Sequence, residues 1–116
     1  MRNSRPVTHS PSDYNDFRDL IESDAREDWT GVWEVWWGAN TRYPHLPLSD
    51  RLAIAERVVA DLAATGRIRF TSTGWPPDED RRVDVALDEA VKLLKEWATW
   101  VPAGHEGPLI WFFVED

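Results

Sequence analysis

The 116-residue chain contains no cysteine, which excludes disulfide bonds and thiolate metal sites. Its three histidines, His9, His45 and His105, stand too far apart to bind a metal from one helix at i, i+3 or i, i+4 spacing. No apolar run approaches the roughly 18 residues of a membrane-spanning helix. The polar N-terminus also lacks the apolar core of a signal peptide. The sequence therefore predicts a cytoplasmic protein with no metal, cofactor or membrane partner.

The sequence patterns of common enzymes are missing as well. The chain has no glycine-rich phosphate loop, no nucleophile elbow and no HExxH pair. The acidic pair Asp88 and Glu89 falls at a predicted helix start, where the helix dipole favours carboxylates without any role in acid–base catalysis. We therefore expect no catalytic residues and a protein that is not an enzyme.

Basic residues are scarce, with 13 against 21 acidic residues and a net charge of −8. Nucleic-acid binding draws most of its affinity from Lys and Arg against phosphates, so this balance argues against it. Only segment 67–83 holds more basic than acidic residues, four against three. These are Arg67, Arg69, Arg81 and Arg82 against Asp78, Glu79 and Asp80. Their interleaving favours a solvated loop.

Tryptophan, in contrast, is abundant, with eight residues in the chain. Four of them, together with Val32, occupy i, i+3, i+4, i+7 and i+8, a stripe of about 140° on an α-helix. The four are Trp29, Trp33, Trp36 and Trp37. The spacing predicts a helix that Asp28 caps and that runs to about residue 43, because Pro44 disfavours helix at the residue before it.

The eight tryptophans divide by their local pattern into core and surface candidates. Trp33 and Trp36 are expected in the core, which Trp97, Trp100 and Trp111 join from the last helix and strand. Trp29 and Trp37 lie at the borders of the stripe. Trp75 stands between a glycine and two prolines in a loop where no periodicity requires burial, so it is the leading candidate for an exposed aromatic.

Apolar periodicity and turn residues predict the remaining elements. Helices are expected from residue 11 to about 24–26, over 50–64 with Ser49 as N-cap and Gly66 as the stop, and over about 86–98. Strands are expected over 67–72 and 109–114, paired antiparallel. Residues 1–10 are expected to form a disordered or flexible arm before a single domain, 11–116.

The order of these elements, helices followed by a strand, a long loop and a closing strand, resembles a winged helix-turn-helix over roughly residues 29–115. The phrases DWTGVWE (28–34), GWPPDED (74–80) and LIWF (109–112) also resemble small proteins of high-GC Gram-positive bacteria and their phages. The resemblance implies an α+β, winged-helix-like domain with three to four helices packed on a two- or three-stranded antiparallel sheet. It implies no activity. The proline-rich connector 44–48 and the extra helix within the wing depart from a DNA-binding winged helix.

Acidity and the missing catalytic patterns favour a small non-enzymatic protein-interaction module of the immunity, antitoxin or phage accessory kind. Such a module would block a basic protein partner, and a homodimer is compatible with it. The residues expected to bind the partner lie in the wing and at the edges of the tryptophan helix. They are Trp75, Asp78, Glu79, Asp80, Arg81, Arg82, Trp29 and Trp37.

Two other functions stay open at this point. A winged-helix DNA-binding transcriptional regulator would need a homodimer, or the four arginines of segment 67–83, to overcome the negative charge. A small enzyme would need an aromatic pocket. Its walls would be Trp33, Trp36, Trp97 and Trp111.

Overall fold

A computed structural model describes residues 11–74, 76–101 and 109–115 of the chain, with side chains from residue 13. The predicted arm 1–10 and Trp75 lie outside the described residues. The helices are α1 (Pro11–Glu27), α2 (Val32–Arg42), α3 (Leu48–Ala63), α4 (Leu87–Leu93) and α5 (Trp97–Trp100). The strands are β1 (Thr30–Gly31), β2 (Ile68–Thr73), β3 (Val83–Val85) and β4 (Leu109–Val114), and a short 3₁₀ turn covers Glu79–Arg81.

The predicted α+β class is confirmed. The described part of the chain has five helices packed on a four-stranded sheet, where the sequence predicted three to four helices and two or three strands. The strand order is β1-β4-β2-β3, and every pair is antiparallel. The predicted pairing of β2 with β4 is confirmed, with Ile68 opposite Val114 and Thr73 opposite Leu109.

The tryptophan helix begins three residues later than predicted, because its expected first turn pairs with the sheet. Thr30 lies opposite Phe112 and Gly31 opposite Trp111, and the N–H of Gly31 donates to the Glu34 carboxylate. A Cβ at Gly31 would clash with the Trp33 ring. Asp28 is therefore not the N-cap of α2, and Trp29 lies before the helix.

Within α2 the buried apolar stripe is shifted relative to the predicted arc. The predicted burial of Trp33 and Trp36 is confirmed, and Val35, which the stripe omitted, is fully buried. Trp37 is 59% exposed. The middle of the predicted stripe therefore lies in the core, and its Trp37 edge lies in solvent.

Helices α1 and α3 are the longest, with 17 and 16 residues, and both begin and end close to their predicted bounds. The N-cap of α3 is Pro47 rather than the predicted Ser49, and Gly66 follows the helix with a φ of 77° that favours glycine. The apolar repeat that predicted α1 consists of Tyr14, Phe17, Leu20 and Ile21; the structure exposes Leu20 and buries the other three. No helix in the described ranges is long and apolar enough to cross a membrane.

Residues of β4 are buried on both faces of the sheet. On one face Phe112 packs against Phe70, with ring centroids 6.2 Å apart. On the other, the indole of Trp111 donates to the carbonyl of Thr73 at 3.2 Å and meets the Trp33 ring edge to face at 4.8 Å. The predicted burial of Trp111 is confirmed.

The helix predicted over 86–98 is two helices, with a break at residues 94–96. Two later side chains donate to carbonyls at this break, where the end of a helix needs donors from outside it. The Thr99 hydroxyl donates to the Leu93 carbonyl at 2.7 Å, and the Trp100 indole donates to the Leu94 carbonyl at 2.8 Å. Trp100 is buried as predicted, whereas Trp97 is half exposed and the prediction of its burial is wrong.

The chain's two tyrosines both lie in the core with their hydroxyls near carboxylates. The Tyr14 hydroxyl donates to Asp61 at 2.6 Å, which links α1 to α3. Burial and the hydrogen bond to Asp61 raise the pKa of Tyr14 well above its usual value of 10.0. Burial and the neighbouring Asp13 raise the pKa of Tyr43 to about 12.

Two tryptophans of α2 test the division between core and surface. We expect Trp33→Ala to lower the free energy of unfolding by about 3–5 kcal/mol, because it removes a buried ring and leaves a cavity. Trp37→Ala is the matched control and should change it by about 0.5 kcal/mol or less. Urea unfolding followed by circular dichroism measures both. Equal losses would contradict the observed packing of α2.

The raised tyrosine pKa values predict alkaline destabilisation. The folded chain holds both phenolic protons above pH 10.0, where the unfolded chain releases them. The contribution of the two tyrosines to the free energy of unfolding is fully present below that pH. It is lost as pH rises through the folded pKa values, by about 1.4 kcal/mol per pH unit for each tyrosine. Unfolding measured across this range should show a shallower fall in Tyr14→Phe and Tyr43→Phe. Tyrosinate absorbance that appears near pH 10 in the folded protein would contradict this account.

Candidate functional site

The structure describes five of the six wing residues expected to bind a partner, residues 78–82; all five are exposed and lie between β2 and β3. Glu79–Arg81 form the 3₁₀ turn, and the Asp78 carboxylate accepts the N–H of Asp80 at 3.0 Å. The N–H of Asp78 in turn donates to the Thr73 hydroxyl at 3.3 Å, which ties the turn to the end of β2. The turn therefore presents three carboxylates to solvent at a fixed place beside the sheet.

The structure brings Arg82 and Trp29 together, although 53 residues separate them in the sequence. The guanidinium carbon of Arg82 lies 5.6 Å from the Trp29 ring centroid and 5.8 Å from that of Phe113. Trp29 itself stacks on Phe113 at 5.9 Å and 18°. Trp29 is consequently half-buried and covers Phe113 on one face of the sheet, and Arg82 contacts its ring from the wing.

Among the described residues, Trp37 is not part of this cluster. Trp37 lies on the solvent side of α2, and Trp75 is outside the described residues. The four arginines of segment 67–83 each face a carboxylate. The pairs are Arg67 with Glu22 at 3.0 Å, Arg69 with Glu115 at 3.0 Å, Arg81 with Asp78 at 3.7 Å and Arg82 with Asp84 at 3.7 Å. Much of the local positive charge is therefore matched within the protein itself.

Exposed large apolar side chains concentrate instead in the segment from β3 to α5. The described residues include eight of them, and five fall within 83–101. The five are Val83, Leu87, Val91, Trp97 and Val101. The sequence predicted an apolar face for helix 86–98 that packs on the sheet, made of Leu87, Ala90, Val91, Leu94 and Trp97. This prediction is wrong for the three exposed members, Leu87, Val91 and Trp97, and only Ala90 is fully buried.

A hollow lies on each side of α4. We call the first the β3 cavity; it has a volume of about 550 Å³. Its walls are Ser72, Val83, Asp84, Val85, Ala86, Glu89, Leu93, Ala98, Thr99, Leu109 and Ile110. The second, the α3 groove, has a volume of about 370 Å³. It is lined by Glu56, Ala60, Ala63, Ala64, Phe70, Leu87, Val91, Leu94, Lys95 and Trp100. Helix α4 is thus a ridge between two largely apolar depressions.

Carboxylates border this ridge. Residues 78–89 contain six acidic side chains and two basic ones, and all eight are exposed. The acidic ones are Asp78, Glu79, Asp80, Asp84, Asp88 and Glu89. Asp88 and Glu89 occupy the first turn of α4, where the helix dipole stabilises them. We refer to the ridge, its two hollows and this acidic border as the α4 surface.

The four tryptophans that were expected to form the walls of an enzyme's aromatic pocket pack against one another in pairs. Trp33 packs edge to face on Trp111 at 4.8 Å, and Trp36 on Trp97 at 5.7 Å. None of these four rings lines the β3 cavity or the α3 groove. Among the described residues there is also no group of three or more histidine or acidic side chains that could hold a metal.

Sequence reasoning missed the α4 surface because it treated a repeating apolar pattern as a buried one. Leu87 and Val91 stand at i, i+4 and do share a helix face, but seven residues of helix cannot extend that face to Trp97. No glycine or proline marks the break in the sequence. The one available signal was the density of charge between the apolar positions, which is typical of a solvated helix.

No protein-family model, curated protein or solved structure matches the chain. The winged-helix resemblance therefore stays a prediction.

The neighbouring arginines of the wing test whether Arg82 holds the Trp29 cluster. We expect Arg82→Ala to lower the free energy of unfolding by about 0.5–1 kcal/mol, the usual size of a cation–π contact at a surface. Arg81→Ala, whose side chain is 86% exposed, should leave it unchanged. The Arg82 effect should become smaller in a Trp29→Ala background, where Arg82 keeps only its contacts with Phe113 and Asp84, as measured by a double-mutant cycle of urea unfolding. An equal Arg82 effect in both backgrounds would contradict the contact.

Proposed function

We propose that the protein is a small, acidic, non-enzymatic interaction module that binds a basic protein partner on the α4 surface. The observation that carries the proposal is the concentration of exposed apolar side chains within 83–101, directly beside six carboxylates in 78–89. In the cell this module would act in the cytoplasm as an immunity protein, antitoxin or phage accessory protein.

Physical reasons favour a partner for this surface. Scattered single apolar side chains are normal on a protein surface, but a contiguous group with a polar border is typical of an interaction site. Val83, Leu87 and Val91 are each at least 44% exposed and flank the two hollows. A partner that covered them would gain the apolar burial that the chain itself leaves unused.

The charge of the border indicates the kind of partner. Six carboxylates against two arginines attract a basic surface, increase its rate of association and disfavour acidic partners. The predicted wing residues Asp78, Glu79 and Asp80 belong to this border, so the proposal keeps them as partner-binding residues. Trp29 and Arg82 contribute by holding the wing against the sheet.

Ion pairs within the protein favour a protein partner over DNA. Every arginine of segment 67–83 already faces a carboxylate within 3.7 Å, and DNA binding would have to break these pairs.

Part of the proposal is also that the order α1, α2, α3, β2, β4 forms a winged-helix-like arrangement, with β3, α4 and α5 inserted in the wing. In this arrangement the insertion binds the partner.

Two leucines of similar exposure provide a matched test. Leu87 on the α4 surface is 56% exposed, and Leu48 at the start of α3 is 53% exposed. We expect Leu87→Gln to weaken the binding of a partner captured from the native host by at least about tenfold, the effect of losing an interface side chain worth about 1.4 kcal/mol or more. Leu48→Gln should bind like the unmodified protein. Affinity measured by calorimetry with the purified partner separates the two.

Salt dependence and self-association complete this test. Binding should weaken as salt rises, since opposite charges approach across the interface. Equal affinity of the Leu87 and Leu48 variants, or binding that is insensitive to salt, would refute the α4 surface as the site. A stable dimer in sedimentation that Leu87→Gln dissociates would identify a second copy as the occupant and refute the basic partner.

A further inference from the structure

The two edges of the sheet differ in exposure. One edge is β1, where Thr30 is 5% exposed and Gly31 is buried as well. The other edge is β3, where Val83 is 66% exposed and the side chain of Asp84 is 78% exposed. Within the described residues, β3 pairs with β2 alone. An exposed edge strand can pair with a further chain.

One contact indicates which backbone groups of β3 point outward. The Thr71 hydroxyl donates to the Val83 carbonyl at 3.4 Å, so this carbonyl points toward β2. The C=O and N–H of one trans peptide unit point in opposite directions, and the N–H of Asp84 therefore points away from β2. Val83 and Ser72 consequently form a hydrogen-bonded pair of the antiparallel ladder, and Asp84 with Thr71 forms a non-hydrogen-bonded pair.

The same alternation sets the direction of the neighbouring groups. Val85 pairs with Phe70 two residues further along, as a second hydrogen-bonded pair with β2. The outward groups are therefore the C=O of Arg82, the N–H and C=O of Asp84 and the N–H of Ala86. An antiparallel neighbour bonds to alternate residues of a strand in this spacing. The β3 edge thus offers the main-chain donors and acceptors that an extended segment needs.

The register assigns the side chains of β3 to opposite faces of the sheet. Val83 and Val85 lie on the face that carries the β3 cavity, together with Ile110. Asp84 lies on the other face, which is that of Trp111. A segment that pairs with β3 would therefore meet apolar side chains on one face and a carboxylate on the other.

We propose that the basic protein partner binds as an added β-strand, antiparallel to β3 along the outer edge of the sheet. This inference rests on the proposed function and adds to it the conformation of the bound segment. Main-chain hydrogen bonds supply the affinity in this mode of binding, and the side chains of alternate residues supply the specificity. A central residue of the segment exchanges both N–H···O bonds with Asp84. Its two neighbours lie beside Val83 and Val85.

The side chains of β3 define the sequence of the bound segment. Opposite charges directly across an antiparallel pair are stabilising and like charges are destabilising, so arginine or lysine is favoured opposite Asp84. β-Branched apolar residues are favoured beside Val83 and Val85, where they cover the exposed Val83 side chain. The segment is therefore apolar, basic and apolar in succession.

Charge disfavours a second copy of this chain at the same edge. Each copy would bring its own acidic border, with six carboxylates against two arginines in residues 78–89, and a net charge of −8. These borders would repel one another, whereas a basic segment is attracted to the same border. The occupant that the edge selects is consequently a strand of opposite charge.

A set of pentapeptides tests the edge without the natural partner. The probe is acetyl-Thr-Val-Arg-Val-Thr-amide. One variant carries a methyl group on the backbone nitrogen of the central arginine, which removes the donor to the Asp84 carbonyl. Its matched control carries the methyl group on the nitrogen of the following valine, which points away from β3. We expect the first to bind about three- to tenfold more weakly than the control, the effect of one hydrogen bond. Titration followed by amide NMR measures both, and the Asp84 amide should shift with the probe.

Variants at one position of the protein separate the main chain from the side chain. Asp84→Pro removes the outward N–H and keeps the pairing with β2, because proline is tolerated in an edge strand where its nitrogen faces solvent. Asp84→Ala also removes the carboxylate but keeps the N–H. We expect both variants to reduce the preference for the probe over a peptide with central glutamate. Only Asp84→Pro should weaken probe binding further, by about two- to tenfold. Circular dichroism verifies that each variant is folded.

The outcomes separate this inference from the proposed function. The added strand is refuted if the two methylated peptides bind equally, if Asp84→Pro and Asp84→Ala bind the probe equally, or if the probe does not shift the Asp84 amide at millimolar concentration. In each of these cases, partner capture that still depends on Leu87 leaves the proposed function standing. A dimer of the chain alone that Asp84→Pro dissociates would identify a second copy at the edge and overturn the proposal. Discrimination between the methylated peptides supports the added strand, even where no host protein binds.

Discussion

The central position of β4 is the constraint on which the rest of this structure depends. This last strand lies between β1 and β2 and pairs antiparallel with both. Its Trp111 donates to the Thr73 carbonyl and contacts the rings of Trp29 and Trp33. The pairing also draws Thr30 and Gly31 into the sheet, which fixes where α2 begins.

This constraint explains why the α4 surface exists. Because β4 takes the place beside β2 on one side, β3 can pair only on the other, at the outer edge of the sheet. Helix α4 follows immediately and buries fully only Ala90, between the β3 cavity and the α3 groove. The segment is held in place by β2 and by the hydrogen bonds of Thr99 and Trp100, yet its apolar side chains remain accessible. A segment that is firmly attached to the sheet, but whose apolar side chains are not covered, is suited to binding a partner.

How far the sequence predicted the structure depended on the range of the interactions involved. The position of α3, to within two residues, and the burial of Trp33 and Trp36 follow from local periodicity, and these predictions are confirmed. The long-range pairing of β2 with β4 is also confirmed, because these two segments were the only strands that the sequence predicted. Strand β1 is missed because Gly31 is set by contacts with Trp111, which lies 80 residues away.

The candidate site was predictable only in part, for the same reason. The acidic, exposed wing was evident from Asp78, Glu79 and Asp80. The exposure of Leu87 and Val91 was not, because it depends on how much of α4 the sheet and α3 cover. Periodicity identifies a helix face but gives no information on whether another element packs against it. The sequence also gave no indication that Arg82 would reach Trp29.

Amide hydrogen exchange of the protein with and without its captured partner tests the central claim most directly, since exchange reports local opening residue by residue. The account predicts that the partner slows exchange within residues 78–93, with β3 and α4 showing the largest gain in protection, and leaves α2 around Trp37 unchanged. Protection gained mainly in α2, or along the face of Arg69 and Phe113, with β3 and α4 unaffected, would contradict it.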